Sequence, residues 1–232
     1  MNTALPHFSL RESRRARHVI LRAVPGLGLE VVVPPGFDRR ELPRILDGKR
    51  SWIERTLRRL PFDATTPDAP PALPERLDLS AVGLSYSVHV LDAPGRVKLT
   101  ENAGRLLLRG GDEAGRLRAL RAWVQAKARE QLAPWLRNLS RETGLTPSGL
   151  RVRNQRTRWG SCSRAGIISL NCKLLFLPRD LAEQVLVHEL CHLRQMNHST
   201  RFWALVESFR PGGRVRERGL RQAFRSLPPW IG

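Results

Sequence analysis

The stretch LPRDLAEQVLVHELCHLRQMNHSTRFW, residues 177–203, decides how this chain is read. Pro178 suits the first turn of a helix, Asp180 favours its positive end, and the apolar residues that follow recur at helical period. The helix so predicted runs into His188-Glu189-Leu190-Cys191-His192, an H-E-x-x-H motif. Residues four apart stack on one helix face, so both imidazoles can reach one ion about 2 Å from each nitrogen, as Zn²⁺ requires. Glu189 projects beside them, where it can take a proton from water during attack on a carbonyl and pass it to the leaving amine. The motif carries this meaning only in helical context, and here the context is present.

A hydrolytic zinc site needs a third protein ligand and an open position. His198 is the expected third ligand, one short turn beyond the helix. Asn197 can take a left-handed stop, and Ser199 or Thr200 can cap a further helix through Phe202, Trp203, Leu205 and Val206. Glu207 is the alternative third ligand. Two histidines and a glutamate could be an ordinary polar face, but motif, helix and spaced third histidine coincide. Cys191 flanks the histidine face and reads as a small buried thiol.

Upstream, residues 150–162 and 167–175 read as two strands about a turn at 163–166, and Asp112 to Thr143 reads as a helix that Pro134 should bend or divide and Gly144 should stop. Residues 18–33 form a predicted hairpin around Pro25-Gly26, and 38–60 a helix broken near Gly48. Strands are expected over 84–91 and 96–108, and the proline-rich stretch 61–74 excludes regular structure. The expectation is an α+β chain with a β-rich N-terminal domain over residues 1–110 and a second domain over 111–232. His7, His18 and His89 are isolated and read as surface or packing residues.

Taken together, Arg158-Trp159-Gly160-Ser161-Cys162, Ile168-Ser169-Leu170-Asn171, Leu177-Pro178, the HELCH segment, His198 and Phe202-Trp203 make a specific set. On these residues the sequence resembles the YgjP-like metallopeptidase-domain family, distant relatives of the SprT-like zinc proteases. The likeness extends through the N-terminal β region, with Trp52 near the end of the first helix. What it implies is a minimal zincin-type fold, a zinc held by His188, His192 and His198, and Glu189 as catalytic glutamate. In zincins a strand beside the active helix commonly pairs with extended peptide, and residues 167–172 look like its counterpart. Trp159, Gly160 and Ser161 read either as a packing tryptophan with a turn or as part of a substrate wall. The single tyrosine, Tyr86, lies outside the catalytic segment, so a tyrosine oxyanion partner is not expected, and Asn171, Arg158 or Arg201 is expected to assist instead as a substrate-binding residue.

The chain of 232 residues carries 40 Lys+Arg against 21 Asp+Glu, a formal net charge of +19. Residues 113–232 hold 22 of the basic and only 8 of the acidic side chains, and lysine occurs only at 49, 98, 127 and 173. Arginine forks suit phosphate and carboxylate. Arg214, Arg218, Arg221 and Arg225 recur at helical spacing, with Val215, Leu220, Ala223 and Leu227 mostly opposite, so a nucleic acid or other polyanion is a candidate partner beside a peptide or protein substrate. Three cysteines exclude a disulfide scaffold and fit a reducing compartment. Arginines interrupt the N-terminal apolar residues where a secretory signal needs an unbroken run, and no stretch reaches membrane-spanning length, so a cytoplasmic protein is expected. Three activities compete on these grounds: a zinc peptidase, a metal-dependent phosphohydrolase acting on nucleotides, and a nucleic-acid-associated protein with a structural zinc.

Overall fold

A computed structural model describes residues 8–14, 16–24, 28–59 and 72–232. The chain divides into two compact units, residues 1–69 and 70–232. In the first, strands β1 (Phe8–Glu12), β2 (Ile20–Val24) and β3 (Gly28–Val33) form a sheet with β3 central, parallel to β1 and antiparallel to β2. Helices α1 (Leu42–Gly48) and α2 (Arg50–Arg59) supply Leu42, Leu46 and Ile53 to a core with Leu29, Val31 and Val33. The predicted hairpin and the helix broken at Gly48 are both there. The turn at Pro25-Gly26 and most of the proline-rich stretch lie outside the described residues.

The second unit opens with β4 (Arg76–Leu79), β5 (Leu84–Leu91), β6 (Lys98–Asn102) and β7 (Arg105–Arg109), in the order β4-β5-β7-β6. Leu77, Leu79, Tyr86 and Leu106 of this sheet share one core with Leu117, Leu120 and Val124 of helix α3 (Glu113–Thr143). Glu101 of β6 also accepts from Trp123 Nε1 and Lys127 Nζ of α3, each at 2.9 Å. The division therefore falls at residue 70 and not at 110, because apolar side chains and a polar tether join the sheet to the helix that follows it.

Asp112 caps α3 through the Gly115 N–H at 2.8 Å, and Gly144 ends it at φ 66°. Pro134 does not divide the helix. The proline forfeits one backbone hydrogen bond, but Leu132, Trp135, Leu136 and Leu139 around it are buried and hold the helix through that point.

A third sheet positions the site. Strands β8 (Gly149–Arg153), β9 (Gly160–Cys162) and β10 (Ile167–Asn171) run in the order β8-β10-β9, with β10 parallel to β8 and antiparallel to β9. The expected pair of long strands is thus three short ones. Residues 154–159 leave the sheet as a loop, and β10 stops at Asn171, whose Oδ1 accepts from Lys173 N at 3.2 Å and starts a 3-10 turn. Because β10 is central, both its edges are already paired; among the described strands, the one beside the helix of residues 179–191 with its outer edge unpaired is β9. Helices α4 (Arg179–Cys191), α5 (Thr200–Phe209) and α6 (Gly213–Ala223) complete the unit.

Candidate metal centre

His188 lies in the last turn of α4 and His192 at its C-cap, where φ −63° and ψ −19° keep the helical path and hold the two rings on one face. The chain then turns tightly, with Arg194 and Gln195 N–H groups donating to the Cys191 carbonyl. His198 follows just before α5, which Ser199 caps by accepting from Phe202 N at 3.3 Å. The turn and the cap together bring the third imidazole back to the first two. His188 Nε2 stands 3.1 Å from His192 Nε2 and 3.0 Å from His198 Nε2. Nitrogens bound tetrahedrally to one ion at about 2 Å are about 3.3 Å apart, so the three sit near the spacing a zinc ion imposes. Phe202, fully buried, packs against all three rings with centroids 4.9, 4.5 and 4.9 Å from His188, His192 and His198.

The donor set also fits in protonation. Burial and the neighbouring His192 and His198 push the His188 pKa down to about 3, and burial pulls His192 down as well. Both are held as neutral imidazoles, the metal-binding form. His192 Nδ1 lies 2.9 Å from the Gln195 carbonyl, which assigns its proton to Nδ1 and leaves Nε2 as the lone-pair donor. Glu189 is 5% exposed, and its Oε2 is buried without a hydrogen-bond partner. Burial and the nearby Glu217 charge raise its pKa to about 8, against the opposing pull of Arg158. Cys191 is fully buried, and burial pushes its thiol up to about 12, as a small core residue.

Beside His188 and Glu189 opens a cavity of about 380 Å³, lined in part by Arg158, Trp159, Gly160, Glu217 and Arg221. Arg158 is thus brought to the centre. Arg201 is exposed on the first turn of α5 and does not line the cavity. Asn171 is not a substrate contact: it is fully buried, and its amide donates to the carbonyls of Gln155 at 2.9 Å and Arg158 at 2.8 Å, so it shapes the 154–159 loop from inside. Trp159 packs, as one of its two readings expects, donating to the Leu220 carbonyl at 3.0 Å and stacking on Phe224, and it also lines the cavity. Glu207 stays away from the imidazoles and accepts from Gly212 N at 2.7 Å at the start of α6. Arg214, Arg218 and Arg221 are exposed on α6. Leu220 and Ala223 are buried behind them, but Val215 is 63% exposed because the inward stripe runs through Gly213 and Leu220. The Arg225 side chain lies outside the described residues.

Sequence reasoning missed the Gln195 carbonyl, which no side-chain pattern can reveal, and Glu217. The latter has a signal in retrospect: it falls on the stripe of Gly213, Leu220 and Phe224 at helical spacing, where a carboxylate is out of place.

A helix bearing H-E-x-x-H, joined by a third imidazole on an α+β scaffold, is the layout of a metallopeptidase domain. A family model for the YgjP-like metallopeptidase domain matches residues 17–223, and the chain belongs to that family. Membership implies a divalent metal. Among solved structures, the zymogen of the metallopeptidase abylysin from Pyrococcus abyssi is similar at 25% identity, over 40% of this chain and 94% of that one, with a TM-score of 0.37. No curated protein matches. Among the described residues no helix is long and apolar enough to cross a membrane.

Proposed function

We propose that this chain is a zinc-dependent peptidase in which His188, His192 and His198 hold the metal and Glu189 handles the proton. The observation that carries this reading is the convergence of three imidazole Nε2 atoms beside a buried glutamate whose Oε2 has no partner. A zinc ion bound there supplies Lewis acidity, which acidifies water and polarises the scissile carbonyl. In its ionised form, which the charge of a bound zinc would favour against the burial that raises its pKa, Glu189 accepts the proton of the attacking water and delivers it to the leaving nitrogen. The substrate backbone extends along the outer edge of β9, which Gly160 seats directly against Glu189. Arg158, at the mouth of the cavity, orients the carbonyl or an acidic side chain of the substrate.

The test uses Glu189→Gln in the full chain. The variant should retain zinc at the parent's stoichiometry and lose metal-dependent cleavage of unstructured peptides by at least a thousandfold, in line with general-base removal. Unchanged cleavage would sink the assignment. Nucleoside triphosphates offered to the parent should stay intact with and without chelator; their metal-dependent hydrolysis would favour a phosphohydrolase.

A further inference from the structure

Helix α6 and the turn that ends it direct Gly213, Glu217, Leu220 and Phe224 inward, so that a carboxylate sits on an otherwise apolar stripe. The helix is pinned on either side of it. At its start, Glu207 accepts from the N–H groups of Gly212 at 2.7 Å and Arg214 at 3.3 Å. Gly213 packs so closely that a Cβ there would come 2.9 Å from Val206 and 3.1 Å from Gln184. Near its end, the Trp159 indole donates to the Leu220 carbonyl at 3.0 Å and stacks on Phe224 at 4.0 Å. Between these anchors Glu217 Oε2 stands 3.8 Å from His188 Nδ1, a buried ring nitrogen without a hydrogen-bond partner. The other nitrogen of that ring, Nε2, faces His192 and His198.

We propose that Glu217 is a positioning residue of the metal centre: it accepts the Nδ1–H of His188 and so fixes the tautomer that leaves Nε2 free for the metal. The inference rests on the reading of His188 as a ligand. A charge-assisted hydrogen bond is about 1 Å shorter than the present separation, an interval that rotation of a glutamate side chain covers with the backbone in place. His192 already has the equivalent support from the Gln195 carbonyl at 2.9 Å. Ligating histidines characteristically donate their second N–H to a carbonyl or carboxylate, which orients the ring and raises its basicity. One ligand of α4 is therefore held by the turn that follows it, and the other by a side chain from α6. The consequence is that the seating of α6 and the affinity for metal depend on each other.

The test compares full-length Glu217→Leu and Glu217→Gln with the parent and with His188→Ala. Zinc affinity is measured by competition with a chromophoric chelator, and thermal unfolding is followed without metal. Glu217→Leu should weaken zinc binding by about 10 to 100-fold while the metal-free protein unfolds at the parent temperature or above, since a charge leaves the inward face. Glu217→Gln keeps an acceptor oxygen and should lose less than the leucine variant. Affinities within twofold of the parent in both variants would overturn the proposal, as would a loss of affinity matched by an equal loss of metal-free stability. His188→Ala separates the two readings: if it alone loses zinc, Glu217 has no positioning role, and if it too binds as the parent does, the metal site itself is misassigned.

Discussion

Glu189 is held on one side by a residue without a side chain. A Cβ at position 160 would fall 2.6 Å from Glu189 Oε1 and 2.8 Å from its Cγ, inside any real contact distance, so the carboxyl group would have to move. Gly160 is not in the left-handed region; what it provides is space. Gly160→Ala should therefore keep zinc, because the three atoms nearest the new methyl all belong to Glu189, and lose at least tenfold in turnover, about 1.4 kcal/mol of barrier. Metal stoichiometry and cleavage rate measured on one preparation check this, and full activity would mean that Glu189 works from another position. The contrast between these neighbours explains what was legible at this scale. His188, Glu189 and His192 stand out because metal chemistry restricts residue type and helical geometry restricts spacing. Gly160 looks like any glycine beside a turn, since the side chain that makes it obligatory comes from another element.

Among the elements, α3, α4 and the helix broken at Gly48 followed from apolar periodicity and capping, signals that act within a few turns. The third sheet did not, because strand direction depends on partners distant in sequence: residues 149–153 run parallel to β10, and nothing in their alternation distinguishes that from a hairpin. Pro134 misled for the same reason, its local penalty being outweighed by the burial of Trp135 and Leu136. Asn171 shows how a single side chain shapes an element. It ties the 154–159 loop through two carbonyls, those of Gln155 and Arg158, in a site closed to water. Asn171→Ala strands the Arg158 carbonyl, while the Gln155 carbonyl keeps Lys173 Nζ at 3.2 Å, and should cost about 1–3 kcal/mol, the range for one buried group left unpaired. Urea unfolding measures that loss. The same loop presents Arg158 and Trp159 to the cavity, so activity should fall in parallel even where the fold persists. A variant with parent stability would show that the loop is held by its other contacts.

At the scale of the molecule, the basic excess that dominates the composition does not define the site. Arg214, Arg218 and Arg221 are exposed on α6, the last of them at the cavity, while the centre itself is built from three imidazoles and a buried carboxyl. The family match spans residues 17–223 and so covers most of both compact units, each of which has an apolar core. The core of the first draws on Leu29, Val31, Val33, Leu42, Leu46 and Ile53, and that of the second runs from Leu77 to Ile231 and reaches the three imidazoles through Phe202. A domain with a closed core of this size buries enough surface to fold unaided. The polypeptide 72–232 should accordingly unfold in one cooperative step and bind zinc within about threefold of the full chain's affinity, a difference of about 0.6 kcal/mol. Calorimetry and chelator competition on the fragment test this. An unfolded fragment, or one that folds without binding zinc, would assign the N-terminal unit a share in building the centre, whereas a fragment that binds zinc but cleaves peptides poorly would assign that unit to substrate capture.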